Sequence, residues 1–146
     1  MEPYQQDKKA ILYDTTLRDG MQGENIFFSP EDKLKMAMRM DDFGIHYIEG
    51  GWPGSNPGAQ TFFELVRDQE FKQAKITAFG ATRRQGKTCD QDANLKALID
   101  SGAPALTIFG KSWDLHVQSI MSNTREENLA MITESVSFLK AHDREV

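Results

Sequence analysis

Four short apolar runs rich in β-forming residues punctuate the chain: Ala10–Asp14, Ile45–Glu49, Lys75–Phe79 and Ala105–Phe109. Continuous runs of this length predict parallel strands covered on both faces. The stretches between them carry helix signals. Ser29-Pro30-Glu31-Asp32 supplies an N-cap serine, a proline at the first helical position and acids in the first turn. All three suit the free N–H groups and the positive dipole end there. Leu34, Ala37 and Met38 form the apolar face of that helix, Asp41-Asp42 its polar edge, and Gly44 its stop. A second amphipathic helix is predicted over residues 59–70, with Phe62, Phe63 and Val66, and a third over residues 90–101, with Leu95, Leu98 and Ile99 inward and Gly102 as its stop. The fourth opens on Thr124-Arg125-Glu126-Glu127, a capping box in which Thr124 and Glu127 each satisfy a free N–H. Leu129, Ile132, Val136 and Leu139 then repeat at helical spacing.

The predicted order is β-α-β-α-β-α-β-α. Thr77, Phe79 and Gly80 recur 30 residues later as Thr107, Phe109 and Gly110, the mark of a repeating βα unit. Right-handed crossovers then build a parallel sheet. A flavodoxin-like doubly wound sheet suits the length, yet no glycine-rich dinucleotide loop follows the first run. Eight 30-residue units give about 240 residues, near the size of a (β/α)8 barrel. The expected fold is therefore α/β, the N-terminal half of a (β/α)8 TIM barrel, with about four βα units and parallel strands. On this reading residues 1–146 are one part-domain ending before a fifth strand, with Leu12, Ile48, Ile76 and Ile108 facing the barrel interior.

Composition narrows the function. Of 146 residues, 39% are hydrophobic and 27% charged, as in a folded domain, and 17 basic against 22 acidic residues leave a net charge of −5. That balance argues against nucleic acid or an acidic membrane surface as the partner. No apolar run approaches the roughly 18 residues of a membrane span, and the first residues lack the apolar stretch of a signal peptide, so a cytoplasmic location is expected. The single cysteine, Cys89, excludes an internal disulfide, and no Cys/His spacing resembles a zinc site.

In either architecture the loops after the strands build the active site. Asp14 to Gln22 follow the first strand, Glu49 to Gly58 the second, Gly80 to Arg84 the third and Gly110 to His116 the fourth. The Arg18-Asp19 pair is the most informative feature. A carboxylate at a strand end can bind a divalent cation, and the adjacent guanidinium can clamp a substrate carboxylate or enolate oxygen; alternatively the two form a local surface ion pair. Gly20 permits a close turn that returns Gln22 to the same place, or Gln22 is a solvated loop amide. The Gly/Pro-rich segment 50–58 is either a linker or a loop that closes on substrate. Glu49 faces the barrel mouth or lies at a wetted edge. Arg83 and Arg84, like Lys111, Asp114 and His116, either meet an anionic ligand or form a solvated face. His46, within a strand, and His142, near a helix C-terminus, are not candidates for catalysis, and neither is Cys89.

The run Thr15-Thr16-Leu17-Arg18-Asp19-Gly20-Met21-Gln22 resembles the signature of the metal-dependent acyltransferase/lyase barrels. This family holds the isopropylmalate, homocitrate and citramalate synthases and the hydroxymethylglutaryl-CoA lyases. Three further segments are most similar to its citramalate branch: Ile48 to Pro57, Ala78 to Arg84 and Thr107 to His116. The resemblance implies a (β/α)8 barrel that condenses acetyl-CoA, as co-substrate, with a small 2-oxo acid, pyruvate in that branch. It implies Asp19 as a ligand of a divalent metal cation, Arg18 as the group that holds the substrate's oxygens and stabilises developing charge, and Gln22 as an orienting residue beside it. Glu49 and His116 are placed as substrate-binding residues at the mouth.

The family's other metal ligands form a His-x-His pair on a late strand, and its catalytic glutamate lies on the fifth. Neither pattern occurs here: the three histidines are His46, His116 and His142, and Met21 stands where relatives often carry glutamate. The chain alone is therefore expected to be inactive. The alternatives are a lyase of the same barrel family running the reverse carbon–carbon cleavage, and a non-catalytic half-barrel interaction module. A half-barrel also leaves open edges and an open face, so homo-oligomerisation is expected.

Overall fold

The computed structural model describes residues 10–146. Its four strands are β1 (Tyr13–Asp14), β2 (Tyr47–Gly51), β3 (Lys75–Ala81) and β4 (Ala105–Phe109). The helices between and after them are α1 (Pro30–Phe43), α2 (Pro57–Arg67), α3 (Ala93–Asp100) and α4 (Arg125–Lys140). The strands form one parallel sheet in the order β1-β2-β3-β4. When every crossover steps to the next neighbour with the same hand, all the helices fall on one face. A doubly wound sheet reverses its strand order partway, so this topology excludes it and is that of part of a barrel. No helix of the described residues is long and apolar enough to cross a membrane.

The strands are shifted and trimmed by local hydrogen bonds. Gly44 ends α1 in the left-handed region (φ 100°), and the amide of Ile45 returns to the Met40 carbonyl, so Ile45 closes the helix instead of opening β2. His46 Nδ1 accepts from the Leu12 amide at 3.1 Å, a structural use of that ring. The helix starts follow their caps: Ser29 accepts from the Asp32 amide at 3.1 Å and Thr124 from the Glu127 amide at 3.1 Å. The capping box at Thr124 is half made, because the Glu127 carboxylate turns away to Arg83. Asn56 caps α2 with Pro57 at its first position, two residues before the predicted start. Asp92 caps α3 after a short 3-10 turn at Cys89–Gln91.

Ile48, Ile76, Ala78 and Leu106 pack against Phe62, Phe63, Leu95 and Leu98 to form the core between sheet and helices. This corrects the expected facing of the strands. Ile48 and Ile76, with Ile108 beside them, lie on the helix side, and Leu12 is exposed. The residues that alternate with them, Tyr13, Tyr47, Glu49, Thr77, Phe79, Thr107 and Phe109, form the opposite face. Two helix faces are also rotated. Met38 is exposed while Lys33 and Asp41 are buried. In α4, Leu129 is exposed, and Asn128, Met131, Ser135 and Leu139 point inward. Beyond α4, Glu145 makes a parallel bridge to Ala105 on the free edge of β4, where a further strand of a barrel would pair, and its carboxylate reaches Tyr47 and Lys75.

Asp41 ties α1 to the segment leading into β3. It accepts the amides of Lys72 (2.7 Å), Gln73 (3.0 Å) and Ala74 (2.7 Å). Burial alone would raise its carboxyl pKa, but these backbone donors outweigh burial and hold it below the usual carboxylate value. A depressed folded-state pKa stabilises the protein above the unfolded value and loses that stability as pH falls through the folded one. Asp41→Ala is expected to cost about 3 kcal/mol at neutral pH, and less as pH falls through the lowered folded-state pKa of Asp41. Urea unfolding at several pH values checks this, and a pH-independent difference would contradict it.

Candidate functional site

The site is built where β1, β2 and β3 end. Asp14 accepts from the amide (2.9 Å) and hydroxyl (3.2 Å) of Thr16, which starts a turn, and the Thr15 carbonyl collects the amides of Arg18, Asp19 and Gly20. Leu17 anchors this turn in the core with no exposed surface. The turn rests on that carbonyl and not on Gly20, where a Cβ would meet nothing nearer than 3.5 Å. A 3-10 turn, Gly20–Gln22, follows.

Arg18 is the centre. Its Nε donates to Glu49 Oε2 at 2.7 Å, its Nη1 to Asp19 Oδ1 at 2.7 Å, and its guanidinium lies 4.0 Å over the Phe79 ring. Among the described residues no hydrogen bond uses Nη2, so the outer edge is left for a ligand. Glu49 is 1% exposed and faces inward, which decides between the two readings of that residue. Its second oxygen accepts from the Tyr13 hydroxyl at 3.0 Å, and that hydroxyl lies 2.6 Å from Thr107 Oγ1. A hydrogen-bonded chain thus runs from β4 through β1 and β2 to Arg18. Burial, only partly offset by the Thr107 hydrogen bond, and the nearby Glu49 charge push the Tyr13 hydroxyl up to about 12, so it stays a donor at neutral pH.

Phe79 and Phe109 stack at 5.5 Å, and Trp52 meets both edge-on, held by Asn94 through its indole N–H at 2.7 Å. A cavity of about 420 Å³ opens beside this group, lined by Arg18, Gln22, Trp52, Ser55, Asn56 and Lys33 among others. The structure therefore brings Arg18, Asp19, Gln22 and Glu49 together. The segment 50–58 is no linker; it forms one wall of the cavity and the start of α2.

Other candidates sit elsewhere. His116 lies on a short π-helical turn (His116–Ile120) with its ring 4.5 Å from Trp113, and no hydrogen bond, ion pair or ring contact joins it to Arg18. Arg83 is buried and held by Glu134 (2.7 Å) and Glu127 (2.8 Å), a tie between the loop after β3 and α4, while Arg84 is exposed. Asp114 pairs with Arg125. The sequence does not mark Tyr13, Thr107, Phe79 and Trp52 as site residues, although Phe79 and Thr107 belong to its 30-residue repeat. Counting alternate positions outward from Glu49 along the sheet would have found the first three.

Asp19 offers an exposed carboxylate, but among the described residues no group of three or more His, Cys, Asp or Glu could hold a metal ion. A divalent cation takes about six ligands. The residues present fit one ligand of such a centre, not the centre itself.

The HMGL-like family model matches residues 9–146. The chain is 53% identical over 139 residues to an (R)-citramalate synthase of Aquifex aeolicus (strain VF5), covering 95% of this chain and 26% of that protein. A 2-isopropylmalate synthase of Sulfolobus acidocaldarius is 31% identical over 135 residues, covering 92% of this chain and 33% of that protein. Among solved structures, the HMG-CoA lyase of Bacillus subtilis superposes with a TM-score of 0.67 at 19% identity, covering 94% of this chain and 44% of that one. The hydroxymethylglutaryl-CoA lyase of Pseudomonas aeruginosa gives 0.68 at 18%, over 93% and 44%. These lyases are TIM barrels, and the chain matches part of the barrel. It spans about a quarter of the length of the citramalate synthases it matches.

Proposed function

The chain belongs to the HMGL-like family, and on that premise we propose that the complete protein condenses acetyl-CoA with pyruvate, or a closely related 2-oxo acid, to give (R)-citramalate or a 2-alkylmalate for amino-acid biosynthesis. The observation that carries this reading is Arg18, fixed by Glu49 and Asp19 with its outer edge open beside an apolar aromatic wall. A 2-oxo acid offers two adjacent oxygens to such an edge and a short apolar chain to such a wall. Identity of about half to citramalate synthases favours pyruvate.

Each side chain then has a task. Arg18 binds the oxo and carboxylate oxygens and stabilises the negative charge that grows on the oxo oxygen as the acetyl carbon attacks. Glu49 holds Arg18 and, with both oxygens engaged, acts on substrate only through it. Gln22 orients substrate from the cavity wall, whereas His116, packed on Trp113 outside that cavity, is given no part in it. Asp19 is proposed as one ligand of a divalent cation, which when bound supplies Lewis-acid charge to the same oxygens. The base that takes the acetyl proton belongs to the part of the barrel outside this chain. Attack yields a citramalyl thioester, and addition of water releases citramalate and the CoA thiol.

The test is thiol release by the full-length protein with acetyl-CoA and a panel of 2-oxo acids. Highest turnover is expected on pyruvate. Preference for 2-oxoisovalerate moves the assignment to an isopropylmalate synthase, and cleavage of hydroxymethylglutaryl-CoA without any condensation moves it to a lyase.

A further inference from the structure

Lys33 is a cation on the core face of α1. It lies one turn before Ala37, is 5% exposed, and makes none of the ion pairs found among the described residues. Its ammonium rests 4.7 Å from the Phe62 ring and donates to the Gly50 carbonyl. Burial pushes its pKa down to about 8. An ammonium buried without a counter-charge works against folding, which points to a use for Lys33 other than stability.

That use is legible in its acceptor. The pairing of β2 with β3 runs Glu49 to Thr77 and then Gly51 to Ala78, which leaves Gly50 as the extra residue of a bulge. Bulges redirect the side chain beside them and recur next to active sites. Here the residue beside the bulge is Glu49. The packing leaves no slack: a Cβ on Gly50 would lie 2.3 Å from Phe62 Cε1, and Gly51, at φ +146°, would place one 3.2 Å from Lys33 Nζ. Lys33, Phe62 and the two glycines interlock directly behind the carboxylate that holds Arg18.

We propose that Lys33 is a positioning residue: by holding the Gly50 carbonyl it fixes the β2 bulge, and the bulge fixes the direction in which Glu49 presents its carboxylate to Arg18 and Tyr13. This rests on the condensation reading for its catalytic consequence, but not for its structural one. Lys33 borders the cavity, but its ammonium is turned to the Gly50 carbonyl, and on this proposal it acts through Glu49.

The test uses the full-length protein carrying Lys33→Met, which keeps an unbranched stem and loses the donor. Amide hydrogen exchange over residues 49–56 is expected to lose protection, while the melting temperature stays level or rises because a buried charge is gone. In thiol release kcat is expected to fall about 10- to 100-fold, the cost of a small misplacement, with KM for acetyl-CoA unchanged. In a Glu49→Gln background Lys33→Met is expected to add no further loss, whereas a merely structural role would add its full effect. If the methionine variant does not fold, Lys33→Arg, whose planar head cannot sit where the ammonium does, is expected to show the same loss of protection and of kcat. Wild-type exchange over 49–56, or a kcat loss fully additive with Glu49→Gln, overturns the proposal. If the wild-type protein releases no thiol with any 2-oxo acid, the condensation reading falls, and the exchange measurement still decides whether Lys33 holds the bulge.

Discussion

Arg18→Lys in the complete protein is expected to lower kcat/KM for the 2-oxo acid by about 10²–10³-fold, the cost of removing one preorganised donor to a developing oxyanion. The geometry explains why a retained positive charge is not enough. Arg18 reaches Glu49 through Nε and Asp19 through Nη1, lies flat on Phe79 and still presents an outer edge. A lysine ammonium is a point charge on a flexible stem and cannot do all four at once. It can remain close enough to Glu49 to neutralise it, so the fold should hold. Arg18→Ala separates the two roles. It strands a carboxylate that is 1% exposed, which is expected to cost about 3–5 kcal/mol of stability in addition to activity. Steady-state thiol release and urea unfolding on both variants check the pair of outcomes. Near-wild-type turnover in the lysine variant would remove Arg18 from the substrate.

What could be read from the sequence follows from which interactions are local. The four strands were legible because each is a continuous apolar run, and the start of α1 because Ser29 and Pro30 are adjacent to it. The Arg18-Asp19 pair and Glu49 were legible because they sit at strand ends. The facing of the strands had only a weak mark: Glu49, Thr77 and Thr107 alternate with Ile48, Ile76 and Ile108, but β2 and β3 are buried on both faces near their middles, so their apolar residues suit either side. Ile48 and Ile76 therefore read as interior when they pack under helices. The Tyr13–Thr107 contact spans 94 residues of chain and leaves no local mark. The burial of Lys33 and of Arg83 left no mark for the opposite reason. A basic residue on an amphipathic helix or in a loop reads as solvated, and only the tertiary fold supplies the Gly50 carbonyl or the two glutamates of α4 that justify burying it.

Taken by itself, the 146-residue polypeptide is expected to self-associate at low micromolar concentration. The argument is the face of the sheet that no helix covers. Tyr13 is 42% and Phe109 36% exposed on it, with Tyr47 and Phe79 beside them, and the β1 edge adds Ile11 at 61%. In the lyases that share this fold the chain accounts for 44% of the protein, so the remainder is available to cover that face. Covering a large apolar side chain is worth about 1.5–3 kcal/mol, and these are partly covered already, so the gain from burying all five is several kcal/mol. That is a substantial fraction of the roughly 5–15 kcal/mol that holds a typical domain together. A second copy offers the same aromatic face and the same β1 edge, which pairs with no further strand among the described residues, and together these are enough for a symmetric contact. Sedimentation velocity across a concentration series is the measurement, with Phe109→Asp expected to shift the distribution toward monomer by placing a charge in the contact. A wild-type monomer that unfolds cooperatively would show that the open face is tolerated in water, and would leave association to the rest of the barrel.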